Sequence, residues 1–425
     1  MKLESYWLDT APPFHDGQQG PVEGSAEVVV IGGGFTGLSA ALALAKRGVP
    51  VTVLEAGRIA GEASGRNGGQ CNTGLAHDYA ALAERIGADR AREFYWAYES
   101  AVESVASIVA EERINCDFFR GGKIKLAAKP QHFDKLAKSY ESLRRDVDPD
   151  VELIPPARMR EEIGSDGFYG GLVQRNGAQM HMGKFGVGLA QAAARHGARI
   201  FEHAPVTALR RVAGERYEVT SARGTIRAAR VLVATGASQI GPLQWFRRRI
   251  APVGSFIVVT EPLATAQLDE LLPKRRAYVT TRHIGNYFRA TADNRLLFGG
   301  RARFAMSNPR SDEKSGRILR AGLASYFPAL ADVRLDYCWG GLVDMTADRL
   351  PRAGQHEGLF YSMGYSGHGV QMSVHMGRVM ADVMFGSASR NPWRQLEWPA
   401  IPGHFGRAWF LPLVGAYYRL QDILH

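Results

Sequence analysis

The stretch VVVIGGGFTGLSAALALAKRGVPVTVLEAG, residues 28–57, constrains the fold of this chain more than any other. A continuous run of Val and Ile indicates a buried strand, and the small and apolar residues after it predict a helix that ends near Gly48. VPVTVLEAG then predicts a second buried strand. Because two parallel strands need a crossover between them, the stretch predicts a βαβ unit in a doubly wound parallel sheet.

The turn between the first strand and the helix carries Gly32, Gly34 and Gly37 at GxGxxG spacing. The first glycine allows the tight turn, the second lets the backbone approach a diphosphate, and the third lets helix and strand pack closely. Glu55 ends the second strand, where a carboxylate accepts hydrogen bonds from ribose hydroxyls. The unit therefore predicts a bound dinucleotide, with its diphosphate at the helix N-terminus. NAD and FAD both fit this unit.

Three later glycine-rich stretches favour FAD over NAD. GEASGRNGGQCNTG at 61–74 directly follows the second strand, and a flavin has a long body that such a loop can cradle. VLVATGAS predicts a buried strand that ends in Gly236, where it can close over the diphosphate. GYSGHGVQMSVHMGRVMADVMFG at 364–386 predicts a helix whose N-terminal dipole could stabilise the anionic reduced flavin.

The formal net charge of +10 raises the question of a nucleic-acid partner. The basic residues are dispersed, except for FRRRI at 246–250 and PKRRAY at 273–278, and no nucleic-acid-binding motif accompanies them. The charge therefore indicates a solvated basic surface, favourable for an anionic cofactor or a membrane, and we predict no nucleic-acid partner.

Three cysteines, Cys71, Cys116 and Cys338, lie far apart with no CxxC pair. This pattern argues against a disulfide framework and against a metal site, and it favours a reducing compartment. The N-terminal stretch lacks the apolar core of a signal peptide, and no run of 18 apolar residues occurs. We predict a cytoplasmic protein and leave membrane association on the cytoplasmic face open.

The predicted secondary structure changes along the length of the chain. From about residue 250 it becomes a succession of strands, typical of an antiparallel sheet, and after 350 the glycine-rich α/β pattern returns. The predicted fold is a Rossmann-like FAD-binding domain with an inserted α+β substrate domain built on an antiparallel sheet. The predicted boundaries are 1–76, 150–240 and 346–390 for the FAD-binding domain, 77–149 and 241–345 for the substrate-binding domain, and 391–425 for an aromatic tail.

Several of these segments resemble one known family. SYWLDTAPPF, GGGFTGLSAALALAKRG, ASGRNGGQ and WGGLVDMTADRLPRAG are similar to segments of the D-amino-acid-oxidase-like FAD superfamily, the group of glycine and sarcosine oxidases, and most of all to its γ-glutamylputrescine oxidase branch. The resemblance covers nearly the whole chain in order. It implies a small-amine substrate, oxidation of its C–N bond to an imine by hydride transfer to flavin N5, and hydrolysis of that imine.

The motifs and the resemblance together predict the residues that contact FAD. They are Gly32, Gly34, Phe35, Thr36, Gly37, Glu55, Ala56, Ser64, Gly65, Arg66, Asn67, Gly68, Gly69, Gln70, Val206, Thr235, Gly236, Gly341, Gly364, Ser366, Gly367, His368, Gly369, Val370 and Gln371.

The predicted attachment of FAD is noncovalent. Sarcosine oxidases hold the flavin through a cysteine where this chain has Gly341 or Leu342, and Cys338 lies about three residues earlier. No histidine lies in ASGRNGGQ for the other mode of attachment.

The substrate wall is expected on the antiparallel sheet and on the loop after residue 364. The candidate catalytic residues are Tyr287, Arg289, Arg301, His368 and Gln371. Arg301 falls about where the resemblance implies a catalytic or carboxylate-binding side chain; a surface arginine on an edge strand is the alternative. For His368 the alternatives are a position against the flavin ring and a packing role in the loop.

Two departures from the family pattern bear on the reaction. Gln371 stands where sarcosine oxidases place a lysine that grips the substrate carboxylate, which disfavours a small α-amino acid and favours an amine or a larger conjugate. Leu297 stands about where those oxidases place an oxygen-activating lysine, so electron transfer to a quinone becomes an alternative to oxygen.

The tail segment RAWFLPLVGAYYRLQDIL at 407–424 is aromatic and aliphatic with flanking arginines. It could dock on its own protein, form an oligomer contact or lie in a membrane interface as a monotopic anchor. The function alternatives are accordingly an amine oxidase, a membrane-peripheral amine or amino-acid dehydrogenase that reduces quinone, and a flavin-binding module without turnover.

Overall fold

The computed structural model describes residues 1–212, 214, 216–300, 307–406 and 409–424. Its strands are β1 (Ser25–Ile31), β2 (Val51–Leu54), β3 (Gln70–Asn72), β4 (Lys123–Leu126), β5 (Glu152–Ile154), β6 (Gly171–Gln174), β7 (Gly177–Gln179), β8 (Arg199–Phe201), β9 (Val206–Val212), β10 (Arg216–Ser221), β11 (Gly224–Val233), β12 (Ala251–Thr260), β13 (Ala277–Thr280), β14 (Asn286–Ala290), β15 (Leu296–Gly300), β16 (Leu335–Met345), β17 (Arg352–His356) and β18 (Leu359–Met363).

The α-helices are α1 (Tyr6–Thr10), α2 (Phe35–Ala45), α3 (Ala63–Arg66), α4 (Tyr79–Ile86), α5 (Ala88–Glu111), α6 (Pro130–Asp146), α7 (Met182–Arg195), α8 (Gln244–Arg247), α9 (Thr265–Leu271), α10 (Pro309–Tyr326), α11 (Gly369–Val383) and α12 (Leu411–Leu424). Short 3-10 turns cover Pro156–Glu161, Pro328–Leu330 and Ala388–Arg390.

The first sheet has the strand order β17-β18-β11-β1-β2-β8, with the β9–β10 hairpin attached to β11. Its central strands β18, β11, β1, β2 and β8 run parallel. All four residues of β2 are buried, as expected of a strand with both faces covered. The predicted doubly wound parallel sheet is thereby confirmed.

The second sheet has the order β16-β12-β15-β14-β13-β4-β6-β5. Its neighbours pair antiparallel except for β13 and β4, which are parallel. The predicted substrate domain on a largely antiparallel sheet is confirmed, with this one parallel pair added. The parallel pair joins two distant parts of the chain, since β4 lies between α5 and α6 and β13 follows α9.

Alternation along the strands gives the second sheet two distinct faces. One face buries stacked aromatic rings, among them Tyr278, Phe288 and Phe298, against α10 and the turn at Pro156–Glu161. The opposite face carries Tyr287 and Leu297 and is turned toward the glycine-rich loops of the first sheet. The functional residues of the sheet are therefore found on this second face.

The predicted domain boundary at residue 150 differs from the strand pairing. The prediction placed 150–240 entirely with the FAD-binding domain, but β5 and β6 pair with each other and β6 pairs with β4 of the second sheet. The segment up to Gln174 therefore belongs to the second sheet. Short strands of this kind carry no sequence signal for the sheet that they join, because pairing partners are chosen by tertiary packing.

The aromatic tail forms α12, which packs through Leu411, Val414 and Tyr418 against β12 and Ile284. Asp422 near its end accepts hydrogen bonds from the backbone N–H groups of His283 and Ile284. One side of the tail is thus docked on the second sheet. Within the described chain, no helix combines the length and apolar character needed to cross a bilayer.

Candidate functional site

Only glycine fits at two positions of the turn between β1 and α2, each for a different steric reason. Gly32 has φ of 110°, and a Cβ on it would lie 2.6 Å from the carbonyl oxygen of Ala234. A Cβ on Gly37 would lie 2.0 Å from the Gly32 carbonyl oxygen. Helix α2 begins directly after Gly34, so the N–H groups of its first turn lack intrahelical acceptors; that of Phe35 donates to Ser64 Oγ, and the next ones are the candidates for contact with a diphosphate.

Glu55 holds its carboxylate against this turn. Its Oε2 accepts a hydrogen bond from Gly33 N (2.6 Å), and its Oε1 accepts one from Gly57 N (2.8 Å). Burial raises the pKa of Glu55, while these two backbone hydrogen bonds act in the opposite direction. Ala56 follows β2, Thr235 and Gly236 follow β11, and Val206 begins β9, two residues after Ala204, whose N–H donates to Glu55 O (2.7 Å).

The second glycine-rich loop is held by donors that come from three distant parts of the chain. Trp339 Nε1 donates to Arg66 O (2.9 Å), Trp7 Nε1 donates to Asn67 O (2.7 Å), and Arg289 Nε donates to Gly68 O (3.0 Å). Three consecutive carbonyls are therefore satisfied by side chains. The backbone of residues 66–68 is thereby held in place by three side-chain donors.

The same loop contacts the phosphate turn and the second sheet. Ser64 Oγ accepts a hydrogen bond from Phe35 N (3.0 Å). A Cβ on Gly341 would lie 3.0 Å from Arg66 Cβ, and a Cβ on Gly68 would lie 2.6 Å from the Tyr287 ring. The remaining predicted residues of this loop, Gly65, Gly69 and Gln70, continue into β3. The structure thus brings the predicted loops and the sheet face together.

The third glycine-rich loop brings the N-terminus of α11 beside α2. Tyr365 Oη is 2.9 Å from Thr36 Oγ1 and 2.9 Å from Ser362 Oγ. A Cβ on Gly377 would lie 2.4 Å from Thr36 O, so the two helices pack with almost no separation. The predicted residues Gly364, Ser366 and Gly367 lie in the turn between β18 and α11, and Gly369 and Val370 begin α11.

Asp344 is a site residue that the sequence reasoning missed. Its Oδ2 accepts a hydrogen bond from Gly364 N (2.6 Å), and a Cβ on Gly236 would lie 3.7 Å from the same oxygen. Burial raises the pKa of Asp344 to about 6. The carboxylate thus connects two of the predicted FAD loops. In the sequence, the acidic residue inside the otherwise apolar segment GGLVDM could have indicated this site.

Tyr287 lies where the sequence predicts the substrate wall. Its hydroxyl is 3.1 Å from Ser255 Oγ, and its ring covers Gly68 and Gly299. Ser255, on β12, was not predicted. Both hydroxyls lie on the sheet face that is turned toward the second glycine-rich loop, residues 61–74. This loop is called the flavin loop below.

Arg289 lies on the same sheet face as Tyr287, but its guanidinium is bonded to backbone carbonyls. It is 4% exposed, and besides Gly68 O its guanidinium donates to Met180 O (2.7 Å) and Ala290 O (3.3 Å). Burial lowers its pKa to about 10. With its donors directed at backbone carbonyls, Arg289 fits a residue that positions the loop better than one that contacts substrate. Arg301 lies outside the described residues.

His368 and Gln371 stand at the start of α11. The His368 ring packs edge-on against Tyr98, with the two ring centroids 5.6 Å apart. Gln371 is 1% exposed, and its Nε2 donates to Asn72 O. Its Oε1, like Asn72 Oδ1 and Thr73 Oγ1, is buried without a hydrogen-bond partner in the described part of the chain.

These observations fit FAD. Gly32, Gly37 and Gly68 have no room for a side chain, Glu55 stands at the turn where a ribose is predicted, and the oxygens of Gln371, Asn72 and Thr73 are buried without a partner within the described residues, as a polar ligand would explain. The three cysteines are buried and free, and burial raises the pKa of Cys338 to about 12. Cys338 Sγ donates to Asp312 O on the far face of the sheet, away from the cradle.

Comparison with known proteins places these residues in context. The family described as FAD dependent oxidoreductase (DAO) matches residues 27–383. Gamma-glutamylputrescine oxidoreductase of Escherichia coli (strain K12) is 32% identical over 94% of this chain and 93% of its own length. Glycine oxidase of Bacillus licheniformis is 26% identical over 86% of this chain and 95% of its own.

Two solved structures share the fold. Glycine oxidase from Geobacillus kaustophilus superposes with a TM-score of 0.73 at 21% identity, over 88% of this chain and 100% of that one. L-proline dehydrogenase from P. horikoshii superposes with a TM-score of 0.71 at 20% identity, over 88% and 98%.

Proposed function

This chain belongs to the DAO family of FAD-dependent oxidoreductases, and from that premise we propose that it oxidises the C–N bond of a primary or secondary amine, including a γ-glutamylated amine, to an imine that water then hydrolyses. That it is an FAD-dependent oxidoreductase of amines or amino acids follows from the family and its relatives. The narrower substrate and the noncovalent attachment of FAD are proposals.

The proposal rests mainly on two hydroxyl groups on the face of the second sheet that lies opposite the flavin loop. Tyr287 and Ser255 place two hydroxyls 3.1 Å apart on this face, beside Gly68 of the loop. Such hydroxyls can accept a hydrogen bond from an amine N–H and hold the nitrogen lone pair in a fixed direction. Leu297 and the buried ring of Trp339 are apolar neighbours on the same face and exclude water.

The chemistry that bound FAD supplies is acceptance of a hydride from the carbon next to the amine nitrogen. The residues named above would hold FAD along the cradle, with the N-terminus of α11 facing the developing negative charge. Tyr287 and Ser255 orient the neutral amine. Burial raises the pKa of Tyr365 and keeps its hydroxyl protonated between Thr36 and Ser362, so the loop stays in place as charge changes.

Gln371 supports an amine over a small α-amino acid. Its amide nitrogen is committed to Asn72 O, and no cation stands at this position to bind a carboxylate next to the reacting carbon. An amine whose carboxylate is absent or remote fits an uncharged side chain at position 371 better.

The proposal is tested by anaerobic mixing of the purified yellow protein with a panel of amines, γ-glutamylated amines and α-amino acids. Bleaching of the flavin absorbance by amines, and faster bleaching by γ-glutamylputrescine than by glycine or sarcosine, is the expected result. A flavin that stays oxidised throughout the amine panel would remove the proposal.

A membrane-peripheral dehydrogenase that reduces quinone is the second candidate. Within α12, Leu413 (66%) and Tyr417 (57%) are exposed one turn apart, Phe405 (74%) and Trp409 (65%) are exposed in the segment before this helix, and Arg248 lies over the Phe405 ring. Such an apolar face beside cationic side chains suits a lipid interface.

The rate at which the bleached enzyme is reoxidised identifies its electron acceptor. Rapid reoxidation in air favours an oxidase. Slow reoxidation in air, with turnover restored by a soluble quinone, favours the dehydrogenase. Co-flotation with anionic vesicles that is lost in Leu413→Ser/Tyr417→Ser would support the membrane contact, and failure of the wild-type protein to float would remove it.

A further inference from the structure

The sheet face that carries Ser255 and Tyr287 continues beyond these two residues toward one end of the second sheet. Side chains alternate along a strand, so Val253 and Ala251 of β12 point to the same side as Ser255. Met345 of β16 pairs with Ala251 across the strands and therefore shares that side. Beyond the two hydroxyls the face is thus apolar, and Val253 is two residues, or about 7 Å, along the strand from Ser255.

Helix α12 covers this apolar part of the face. One cluster of packed side chains joins the helix to the sheet and contains Ala251, Val253, Met345, Ile284, Leu411, Val414 and Tyr418. The three residues from α12 follow one another at spacings of three and four, so they lie on a single side of the helix. This inner side of α12 therefore lies on the same sheet face as Ser255 and Tyr287.

The C-terminal end of α12 is fastened to the turn that leads into β14. The Asp422 carboxylate accepts hydrogen bonds from the backbone N–H groups of His283 (2.7 Å) and Ile284 (2.8 Å). Its backbone carbonyl accepts one from Lys129 Nζ (2.7 Å). The Tyr418 ring, one turn earlier in the helix, stacks on the His283 ring with the two centroids 5.9 Å apart. These contacts hold α12 at the start of β14.

The chain before α12 is fastened to the start of β12. Nε2 of the buried His404 ring is 2.8 Å from Ile250 O. Strands β12 and β14 both pair antiparallel with β15, so their starts lie at the same end of the second sheet. The helix therefore spans this end of the sheet from one strand to the other, and it closes the substrate face beside Ser255 and Tyr287.

The two sides of α12 differ in their surroundings. Tyr418 is partly buried against the apolar cluster, whereas the adjacent Tyr417 is 57% exposed. Successive residues of a helix point about 100° apart, which directs one tyrosine toward the sheet and the other toward solvent. The helix therefore carries two identical side chains, of which only Tyr418 can border a substrate on the sheet face.

We propose that α12 forms a wall of the substrate site and that its inner side chains, Tyr418 in particular, determine how large an amine the site accepts. The inference rests on the proposed amine oxidation, because it takes Ser255 and Tyr287 as the position of the reacting nitrogen. The remainder of a substrate held there extends over the same sheet face, on which α12 stands about 7 Å farther along β12. A large group attached to the amine collides with this wall, and such collisions are a source of specificity.

The test uses N-acetylputrescine and N-hexanoylputrescine, which share the reacting end and differ by four methylene groups. The rate constant of anaerobic flavin bleaching is measured for both amines in the holoenzyme, without lipid. The ratio of the hexanoyl to the acetyl rate constant is expected to rise roughly tenfold in Tyr418→Ala, since the space of the ring accommodates about two methylenes and each buried methylene contributes about fourfold. Val414→Ala, a smaller deletion on the same side, should change the ratio in the same direction.

The matched control is Tyr417→Ala, which removes the same side chain from the outer side of α12 and should keep the wild-type ratio. A ratio that stays at the wild-type value in both Tyr418→Ala and Val414→Ala overturns the proposal. An equal rise in Tyr417→Ala and Tyr418→Ala overturns it as well, because it would reflect a general loosening of the helix.

A second measurement does not depend on amine oxidation. Dithionite reduces a bound flavin directly, and the rate of this reduction reports how freely small solutes reach the flavin. The rate is expected to rise severalfold in Tyr418→Ala and to stay at the wild-type value in Tyr417→Ala. If no amine bleaches the wild-type flavin but dithionite distinguishes the two variants in this way, amine oxidation fails and the wall formed by α12 stands. If amines bleach the flavin and both tyrosine variants keep the wild-type ratio and reduction rate, the wall is wrong and amine oxidation stands.

Discussion

The guanidinium carbon of Arg289 lies 5.0 Å from the centroid of the Trp7 ring, and both side chains donate to the same loop, Arg289 to Gly68 O and Trp7 to Asn67 O. The cation stacks on the aromatic ring while the two donors hold neighbouring carbonyls. An N-terminal helix and a strand of the second sheet are thereby joined at the loop that is expected to cradle the flavin.

Replacement of Arg289 by lysine tests whether this contact supports FAD binding. Lysine keeps the charge but lacks the planar fork that reaches Gly68 O and Met180 O together. We expect the Kd for FAD to rise about tenfold, since the loss of one charge-assisted hydrogen bond costs on the order of 1.5 kcal/mol. Fluorescence titration of the apoprotein with FAD measures it. Arg282→Lys, at an exposed position in the turn between β13 and β14, should bind FAD normally; an unchanged Kd in Arg289→Lys would contradict the positioning role.

Alanine at position 37 tests the steric need for glycine in the first turn. The added Cβ would lie 2.0 Å from the Gly32 carbonyl oxygen, so strand and helix must separate. The expected result is protein without flavin, destabilised by about 1–3 kcal/mol or more. Gly20→Ala, whose Cβ would meet nothing within 4 Å, is the matched control. Absorbance of bound flavin and urea unfolding give the two readouts, and normal flavin content in Gly37→Ala would refute the expectation.

His181 makes the attachment of the N-terminal helix sensitive to acid. Its Nδ1 accepts from Lys184 N (3.1 Å), its Nε2 is 2.9 Å from Thr10 Oγ1, and burial lowers its pKa to about 4. Because the unfolded state binds the proton more readily, stability falls as pH decreases from about 6.5 toward 4, by at most about 1.4 kcal/mol per pH unit.

The variant His181→Asn keeps a capping acceptor and removes the titration. Urea unfolding between pH 4 and 8 should show a smaller loss of stability in acid than in the wild-type protein, with the contribution of His375, whose pKa burial also lowers to about 4, left in place. His15→Asn, at an exposed position, should follow the wild-type curve. Identical pH profiles for His181→Asn and the wild-type protein would count against this assignment.

Noncovalent attachment of the flavin is checked by denaturation. Cys338, the cysteine closest in sequence to the expected attachment point, is on the sheet face opposite the cradle, and burial raises the pKa of its thiol to about 12. Acid precipitation should release all the flavin into the supernatant, in the wild-type protein and in Cys338→Ser alike. Flavin fluorescence that remains with the polypeptide on a denaturing gel would show a covalent bond.

The predictions from sequence succeed where the physical requirement is local. Gly32, Gly37 and Glu55 lie within one βαβ unit, and both the periodicity of that unit and the steric limits of its turn are properties of neighbouring residues. The boundary at residue 150 and the role of Arg289 were less accessible. β5 and β6 are too short to indicate their sheet, and an arginine on a strand looks the same whether it faces substrate or backbone carbonyls.

The sequence by itself determined the nucleotide-binding unit, the family and the cofactor, because these depend on contiguous motifs whose backbone geometry excludes other residues. Only the tertiary structure decided which side chains meet at the site. Arg289 donates to carbonyls 221 and 109 residues away in the chain, and Ser255 meets Tyr287 only because β12 and β14 both pair with β15. Because strand pairing is set by long-range packing, no local sequence pattern predicts it.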